Sequence, residues 1–214
     1  MLIPTKFRDG EQAKNWYIKV FNNYRAHYDS LQFNQKKKFY SRIESFFPQL
    51  KNFYRHNLDF IKDCLEPFKP LKVVELGGGN GELMSEFPEY DWVNFDFHNL
   101  TDNLWVLKPE LDCNLFISCH TIEHFSNREF ESLIEYLHEL NPKYILLNAP
   151  LLPDGQSWHN YFGLHVLTYG TEKVKSLLQE QYELVKKVPY DETTLKGWCA
   201  FWRKKDLKTF HDLP

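Results

Sequence analysis

The chain has 214 residues, of which 43% are hydrophobic, 17% aromatic and 26% charged. A chain of this length can form one domain with a full hydrophobic core and needs no disulfide or metal to hold it together. Its 26 basic and 29 acidic residues give a formal net charge of −3, which provides no overall positive field for phosphate backbones and makes nucleic acid an improbable partner.

The ends and the cysteines of the chain point to a cytoplasmic protein. The first residues lack the basic and then apolar pattern of a secretion signal, and no apolar run reaches the roughly 18 residues that a membrane span needs. The four cysteines are widely spaced and form no C-x-x-C pair, so neither a zinc ribbon nor a disulfide framework is indicated. We expect reduced thiols and no membrane partner, and the pattern leaves the oligomeric state open.

The first third of the chain has helical periodicity. Aromatic and aliphatic residues recur at helical spacing across residues 11–66, for instance Trp16, Val20 and Tyr24, which predicts two or three amphipathic helices. Pro67 and Pro70 then interrupt the pattern. We therefore divide the chain into an N-terminal helical cap, residues 1–70, and a core, residues 71–214.

The pattern after residue 70 is typical of βαβ units, because short apolar runs alternate with helical segments. Ser126 and Glu129 have the spacing of a capping box, which predicts a helix that ends at Asn141-Pro142. The fold class is therefore α/β, with a mostly parallel sheet that a C-terminal antiparallel hairpin closes. The predicted strands are Lys72–Leu76, Trp92–Phe95, Leu115–Cys119, Tyr144–Leu147, Tyr182–Val188 and Trp198–Arg203, and a further helix is predicted over Thr171–Gln181.

A glycine-rich turn follows the first predicted strand. Glycines at the start of a helix let backbone amides approach a ligand, because no side chain stands in the way. The dinucleotide fingerprint G-x-G-x-x-G needs a third glycine at position 82, where this chain has Glu82. The spacing Glu75, Gly77, Gly79, Gly81 therefore disfavours NAD.

This turn resembles the first motif of class I S-adenosylmethionine (SAM)-dependent methyltransferases, an acidic residue followed by G-x-G-x-G. The resemblance implies a Rossmann-like sheet in which the turn, Gly78 included, wraps the methionine part of SAM. It also implies that a carboxylate after the second strand, Asp96 with Phe97 beside it, takes the ribose hydroxyls. The family's adenine segment has weaker candidates here in Asp102, Asn103 and Leu104, because few residues separate Asp96 from the next motif.

The resemblance continues in Cys119-His120-Thr121-Ile122-Glu123-His124, which is similar to the Glu-His motif after the fourth strand of many small-molecule methyltransferases. It implies that Cys119 adjoins the cofactor. His124 and His120 are candidate general bases, because a neutral imidazole can take a proton from a hydroxyl nucleophile.

The same motif suggests a metal site. Some members of the family carry Glu-x-x-Glu-His and bind a metal there, and this chain has His120, Glu123 and His124, with His165 or alternatively His159 to complete the set. A further nitrogen ligand would shift the preference from magnesium toward zinc, iron or manganese. The alternative, in which these residues orient the substrate and no metal binds, stays open.

An aromatic loop supplies candidate substrate contacts. Trp158, His159 and Tyr161 follow the Tyr144–Leu147 strand in a long loop, and Tyr17 of the helical cap joins them. The expected function is SAM-dependent O-methylation of a small molecule or glycan intermediate. Two alternatives stay open: a metal-dependent 2′-O-methyltransferase of RNA 3′ ends, and a non-catalytic SAM-binding module.

Overall fold

The computed structural model describes residues 57–68, 72–78, 81–95, 112–151, 153, 167–189 and 197–207. Four α-helices, one 3-10 turn and six strands lie in these ranges. The helices are α1 (Leu58–Leu65), α2 (Glu82–Glu86), α3 (Asn127–Leu140) and α4 (Thr171–Leu178), with the 3-10 turn at Ile122–His124. The strands are β1 (Lys72–Leu76), β2 (Asp91–Phe95), β3 (Leu115–Cys119), β4 (Tyr144–Ala149), β5 (Tyr182–Val188) and β6 (Trp198–Lys204).

The strands form a single sheet in the order β2-β1-β3-β4-β6-β5. The pairs β1–β2, β1–β3 and β3–β4 are parallel, whereas β6 runs antiparallel to both β4 and β5. The predicted α/β class, the mostly parallel sheet and the closing antiparallel hairpin are therefore confirmed.

Helices cover both faces of the sheet, which explains why its central strands are apolar at almost every position. All six residues of β4 are buried. Its side chains alternate: Ile145 and Leu147 join α3 and α4 in one cluster, whereas Tyr144 and Leu146 join α1 and α2 in the other. The outcome is a three-layer core with the sheet in the middle.

Helix α3 forms as the sequence predicts. The hydroxyl of Ser126 accepts from the backbone N–H of Glu129, and the Glu129 carboxylate accepts from the backbone N–H of Ser126. Asn141 ends the helix in the left-handed conformation. The predicted apolar stripe is the buried one, made of Phe130, Leu133, Ile134, Leu137 and Leu140.

Several predicted boundaries differ from the observed ones. Helix α4 ends at Leu178, three residues early, and Gln179–Gln181 form a turn into β5. Strand β4 continues to Ala149, because Asn148 and Ala149 pair with the antiparallel β6. Strand β2 starts one residue earlier than predicted, at Asp91, and β6 ends one residue later, at Lys204.

Most of the predicted helical cap, residues 1–56, lies outside the described residues, so the division at residue 70 stays a prediction. Helix α1 packs its side chains Phe60, Ile61 and Leu65 into the cluster on one face of the sheet. Among the described residues, none of the helices has the length and apolar character needed to cross a membrane.

Candidate functional site

The carboxyl ends of the parallel strands β1, β2, β3 and β4 meet at one edge of the sheet, which is where open α/β sheets bind ligands. Two loops lie side by side there, the glycine turn after β1 and the His120–His124 motif after β3. Ser118, the neighbour of Leu76 in the β1–β3 register, donates its buried hydroxyl to the Leu76 carbonyl at 3.1 Å and ties the two strand ends together.

Gly77 brings the two loops into contact. Its φ of +81° favours glycine, and a Cβ there would lie 1.8 Å from Oγ1 of Thr121. No side chain fits between the loops at this point. The first glycine of the predicted motif is therefore required by the close approach of the β3 loop.

Gly78 packs closely against two polar side chains. A Cβ at this position would lie 2.4 Å from Oε2 of Glu75 and 2.5 Å from Oδ1 of Asn94. Glu75 is only 3% exposed, and Asn94 stands opposite it on β2 in the sheet register. We call Glu75, Gly77, Gly78 and Asn94 the glycine cradle.

Gly81 begins helix α2. Its φ is +75°, and its backbone N–H donates to the Gly78 carbonyl at 2.8 Å. A Cβ there would meet only the flexible end of Met84 closely, at 2.8 Å from Cε. Backbone conformation, more than close packing, therefore requires this glycine. Gly79, the middle glycine of the motif, lies outside the described residues.

Cys119 lies at the end of β3 beside the cradle. Burial raises the pKa of its thiol, the negative charge of Glu75 raises it further, and the Asn148 amide partly opposes the shift. Cys119 is in register with Asn148 of β4, so its side chain lies at the same edge of the sheet as the glycine turn. The predicted contact of Cys119 with a cofactor stays a prediction.

His120 and Glu123 form a pair in the loop after β3. Nδ1 of His120 lies 3.5 Å from Oε1 of Glu123, and the two side chains are 19% and 4% exposed. The backbone holds both residues: the His120 N–H donates to the Asn148 carbonyl at 2.7 Å, and the Glu123 carbonyl accepts from Leu167 N–H at 3.1 Å. A carboxylate at one ring nitrogen fixes the orientation of an imidazole.

The metal prediction stays untested. Among the described residues, no group of three or more His, Cys, Asp or Glu side chains is arranged to hold a metal ion. Three members of the predicted ligand set, His159, His165 and the side chain of His124, lie outside the described part of the chain. The described fragment of that set is the pair His120 and Glu123.

Sequence reasoning missed two asparagines at this edge. Asn94 was passed over in favour of Asp96, two residues further along, and Asn148 was not considered. A signal was present in the second case, because Asn148 is the one amide in the otherwise apolar run Tyr144–Ala149. A fully buried amide needs a hydrogen-bonding reason to be there.

The remaining predicted site residues lie outside the described residues, so their roles stay predictions. They are Asp96, Phe97, Asp102, Asn103 and Leu104 for the cofactor, and Tyr17, Trp158, His159 and Tyr161 for the substrate.

No family model matches the chain, and no curated protein matches it by sequence. Solved structures do match. The N-methyltransferase NodS from Bradyrhizobium japonicum, solved with S-adenosyl-L-homocysteine (SAH), is 14% identical with a TM-score of 0.56, over 71% of this chain and 86% of NodS. An O-methyltransferase family 2 protein from Planctomyces limnophilus, solved with apigenin, is 14% identical with a TM-score of 0.58, over 82% of this chain and 63% of that protein.

A SAM-dependent methyltransferase from Archaeoglobus fulgidus is 12% identical with a TM-score of 0.50, over 77% of this chain and 99% of that one. At these identities the likeness is one of fold. The chain therefore has the Rossmann-like α/β fold of the class I SAM-dependent methyltransferases.

Proposed function

We propose that the protein is a SAM-dependent methyltransferase that methylates an oxygen of a small molecule or glycan intermediate. The glycine cradle is the observation that carries the proposal. At Gly78 the backbone lies directly against a buried carboxylate and an amide, at the carboxyl edge of the sheet. Glycine at such an edge lets main-chain groups approach a ligand directly.

The residues of the cradle fit SAM. The amino-acid end of SAM carries an ammonium group, and the Glu75 carboxylate, which lies at this edge of the sheet and is 3% exposed, has the negative charge that accepts a strong hydrogen bond from a cation. Cys119 ends β3 at the same edge, and burial raises the pKa of its thiol, which keeps the sulfur neutral. When bound there, SAM supplies an activated methyl group, and the protein supplies position and exclusion of water.

His120 and Glu123 supply the proton chemistry in this proposal. His120 would take the proton of the acceptor hydroxyl, and Glu123, 3.5 Å from Nδ1, would orient the ring. His124 is the alternative base. In the metal-dependent version of the proposal, His120 and Glu123 would instead be ligands together with His124 and His165, with His159 as an alternative to His165.

Calorimetry on a cradle variant tests the cofactor assignment. In Gly78→Ala the new Cβ meets the mobile ends of the Glu75 and Asn94 side chains, so it would displace them into the ligand's space with little effect on the fold. We expect SAH affinity to fall at least about tenfold, the equivalent of roughly 1.4 kcal/mol. The control is Asn141→Ala, which strains a left-handed residue at the end of α3 and should leave SAH affinity unchanged.

Two results would contradict the cofactor assignment. The first is wild-type protein that ignores SAM and SAH at millimolar concentration. The second is a Gly78→Ala variant that binds SAH as tightly as the wild type.

Transfer of a labelled methyl group tests the acceptor class. Wild-type protein is incubated with methyl-labelled SAM and either hydroxylated small molecules, including sugars and phenols, or RNA with a free 3′ end. Label in the small molecules supports the proposal, and label only in RNA supports the first alternative. Cofactor binding with no transfer to either group supports the non-catalytic module.

A further inference from the structure

Two buried asparagines join the start of helix α1 to the end of β4. Nδ2 of Asn57 donates to Oδ1 of Asn148 at 2.9 Å and also to the Gly197 carbonyl at 2.9 Å. Asn57 is 3% exposed and Asn148 is 0% exposed. A Cβ at Gly197 would lie 2.9 Å from Oδ1 of Asn148, so the three segments close tightly on one another.

The Gly197 carbonyl fixes the orientation of both amides. A carbonyl only accepts, so the Asn57 atom that faces it must be the NH₂ group. That NH₂ also faces Asn148, which must therefore present its oxygen. Nδ2 of Asn148 therefore points away from Asn57. The hydrogen bonds themselves distinguish the amide oxygen from the amide nitrogen, which are otherwise easily interchanged in asparagine side chains.

Nδ2 of Asn148 makes no hydrogen bond with any residue that the structure describes. The amide lies close enough to the Cys119 thiol to favour its thiolate, but the contact is not a hydrogen bond of normal geometry. A buried donor left unsatisfied destabilises the fold, because it has given up its hydrogen bond to water and gained none. Retaining such a donor at a ligand-binding edge of the sheet indicates that a ligand completes it.

The side chain of Asn57 takes part in this network and does not cap helix α1. It occupies the N-cap position of α1, where asparagine is favoured because its side-chain oxygen can accept from the first helical amides, yet its side chain makes no capping bond. Its amide is used instead across the core, on β4 and on the residue before β6. The tertiary contact thus replaces a helix cap worth about 1 kcal/mol.

Asn148 and Glu75 lie on the same face of the sheet. Glu75 is in register with Ile117 of β3, Ile117 with Leu146 of β4, and Asn148 lies two residues beyond Leu146. Two strand spacings and two residue rises separate the Cα atoms of Glu75 and Asn148 by roughly 12 Å. Cys119 lies on the intervening strand β3, in register with Asn148.

We propose that Nδ2 of Asn148 donates a hydrogen bond to the carboxylate of the amino-acid end of the cofactor, and that Asn57 is the positioning residue that aims it. This inference rests on the proposed function. A zwitterionic amino acid needs an acceptor for its ammonium and, at a distance from that acceptor's negative charge, a donor for its carboxylate. Glu75 and Asn148 satisfy both needs from one face of the sheet.

Paired ligands test the inference. SAH carries the amino-acid end, whereas 5′-methylthioadenosine keeps the nucleoside and lacks that end, so the carboxylate contact affects only the first. By calorimetry, Asn148→Ala should weaken SAH roughly 10- to 100-fold, the usual range for a hydrogen bond to a charged group, and leave methylthioadenosine within about twofold. Asn57→Ala, which frees the amide of Asn148 to rotate, should weaken SAH by a smaller factor with the same selectivity.

Asn114→Ala is the matched control. Oδ1 of Asn114 accepts from the backbone N–H of Lys72 at 3.0 Å, but this asparagine precedes β3 at the amino ends of the strands, the opposite edge of the sheet, so both ligands should bind as in the wild type. If Asn148→Ala does not fold, Asn57→Ala still tests the inference, because it should weaken the binding of SAH and not that of methylthioadenosine. Unchanged SAH affinity in Asn57→Ala and Asn148→Ala, or equal loss for both ligands, overturns the inference, whereas failure of the wild type to bind SAH overturns the proposed function instead.

Discussion

His120 has an unusual backbone conformation, with φ of +52° in a residue that carries a side chain. For residues other than glycine this region costs roughly 1–2 kcal/mol. The surroundings hold it there: its N–H donates to Asn148 at 2.7 Å and its imidazole contacts Glu123. Strain of this kind is concentrated at functional sites, where a particular side chain must be aimed from a particular point.

A pair of variants measures that strain. His120→Gly and His120→Ala both remove the imidazole, so their difference isolates the backbone. We expect His120→Gly to have the higher free energy of unfolding, by about 1 kcal/mol, in urea titrations followed by circular dichroism. Equal stability of the two variants would show that the left-handed conformation is not strained in this protein.

A residue type that its own turn or helix requires could be predicted from the sequence. A residue type that contacts with distant parts of the chain require could not. The need for glycine at Gly77 and Gly78 is of the local kind, because the turn itself demands it, whereas the binding roles of the predicted site residues stay predictions. Asn94 and Asn148 were missed because their significance depends on the strands beside them: Asn94 matters through its register with Glu75, and Asn148 through Asn57, 91 residues earlier in the chain.

At the scale of elements, the same division holds. Helix α3 was predicted with its cap, stripe and end because all three are properties of one continuous stretch of chain, from the N-cap Ser126 to the C-cap Asn141. Helix α2 has only five residues, too few to repeat a helical period, and was not predicted. The length of β4 depends on its pairing with β6, about 50 residues later, so its last two residues were missed.

The capping box of α3 gives a prediction at this scale. Ser126→Ala removes the acceptor for the Glu129 N–H and the partner of its carboxylate, and should lower the free energy of unfolding by about 1 kcal/mol. Ser132→Ala is the control, since that exposed hydroxyl only bonds the carbonyl of Arg128 one turn earlier. A loss in Ser126→Ala no larger than in Ser132→Ala would contradict the role of the cap.

Across the whole molecule, the core keeps its four cysteines protonated. Burial raises the pKa of Cys64 from 9.0 to about 11 and that of Cys113 to about 12, and it also raises the pKa of Cys119 and Cys199. Cys64, Cys113 and Cys199 are buried, and Cys119 is partly exposed. The core therefore disfavours ionised sulfur.

Stability should consequently fall in alkali. The folded thiols hold their protons above the value of 9.0 at which the unfolded thiols lose theirs, so the stabilisation is complete below pH 9 and is lost as pH rises toward the folded pKa. Each thiol contributes up to about 1.4 kcal/mol per pH unit. Urea titrations at pH 8 to 10 should show a shallower decline for Cys113→Ala than for the wild type, and parallel declines would contradict this account.

The place of β6 in the sheet has a consequence for synthesis on the ribosome. Strand β4 precedes β6 in the chain by some 50 residues, yet β6 covers the whole length of β4 and separates it from β5. When the ribosome has synthesised residues up to 189, the hydrogen-bonding edge of the apolar strand β4 is still unpaired. An unpaired edge of this kind can pair with strands of other chains and cause aggregation. Folding must therefore wait for one of the last strands to be translated, and until then chaperones have an exposed target.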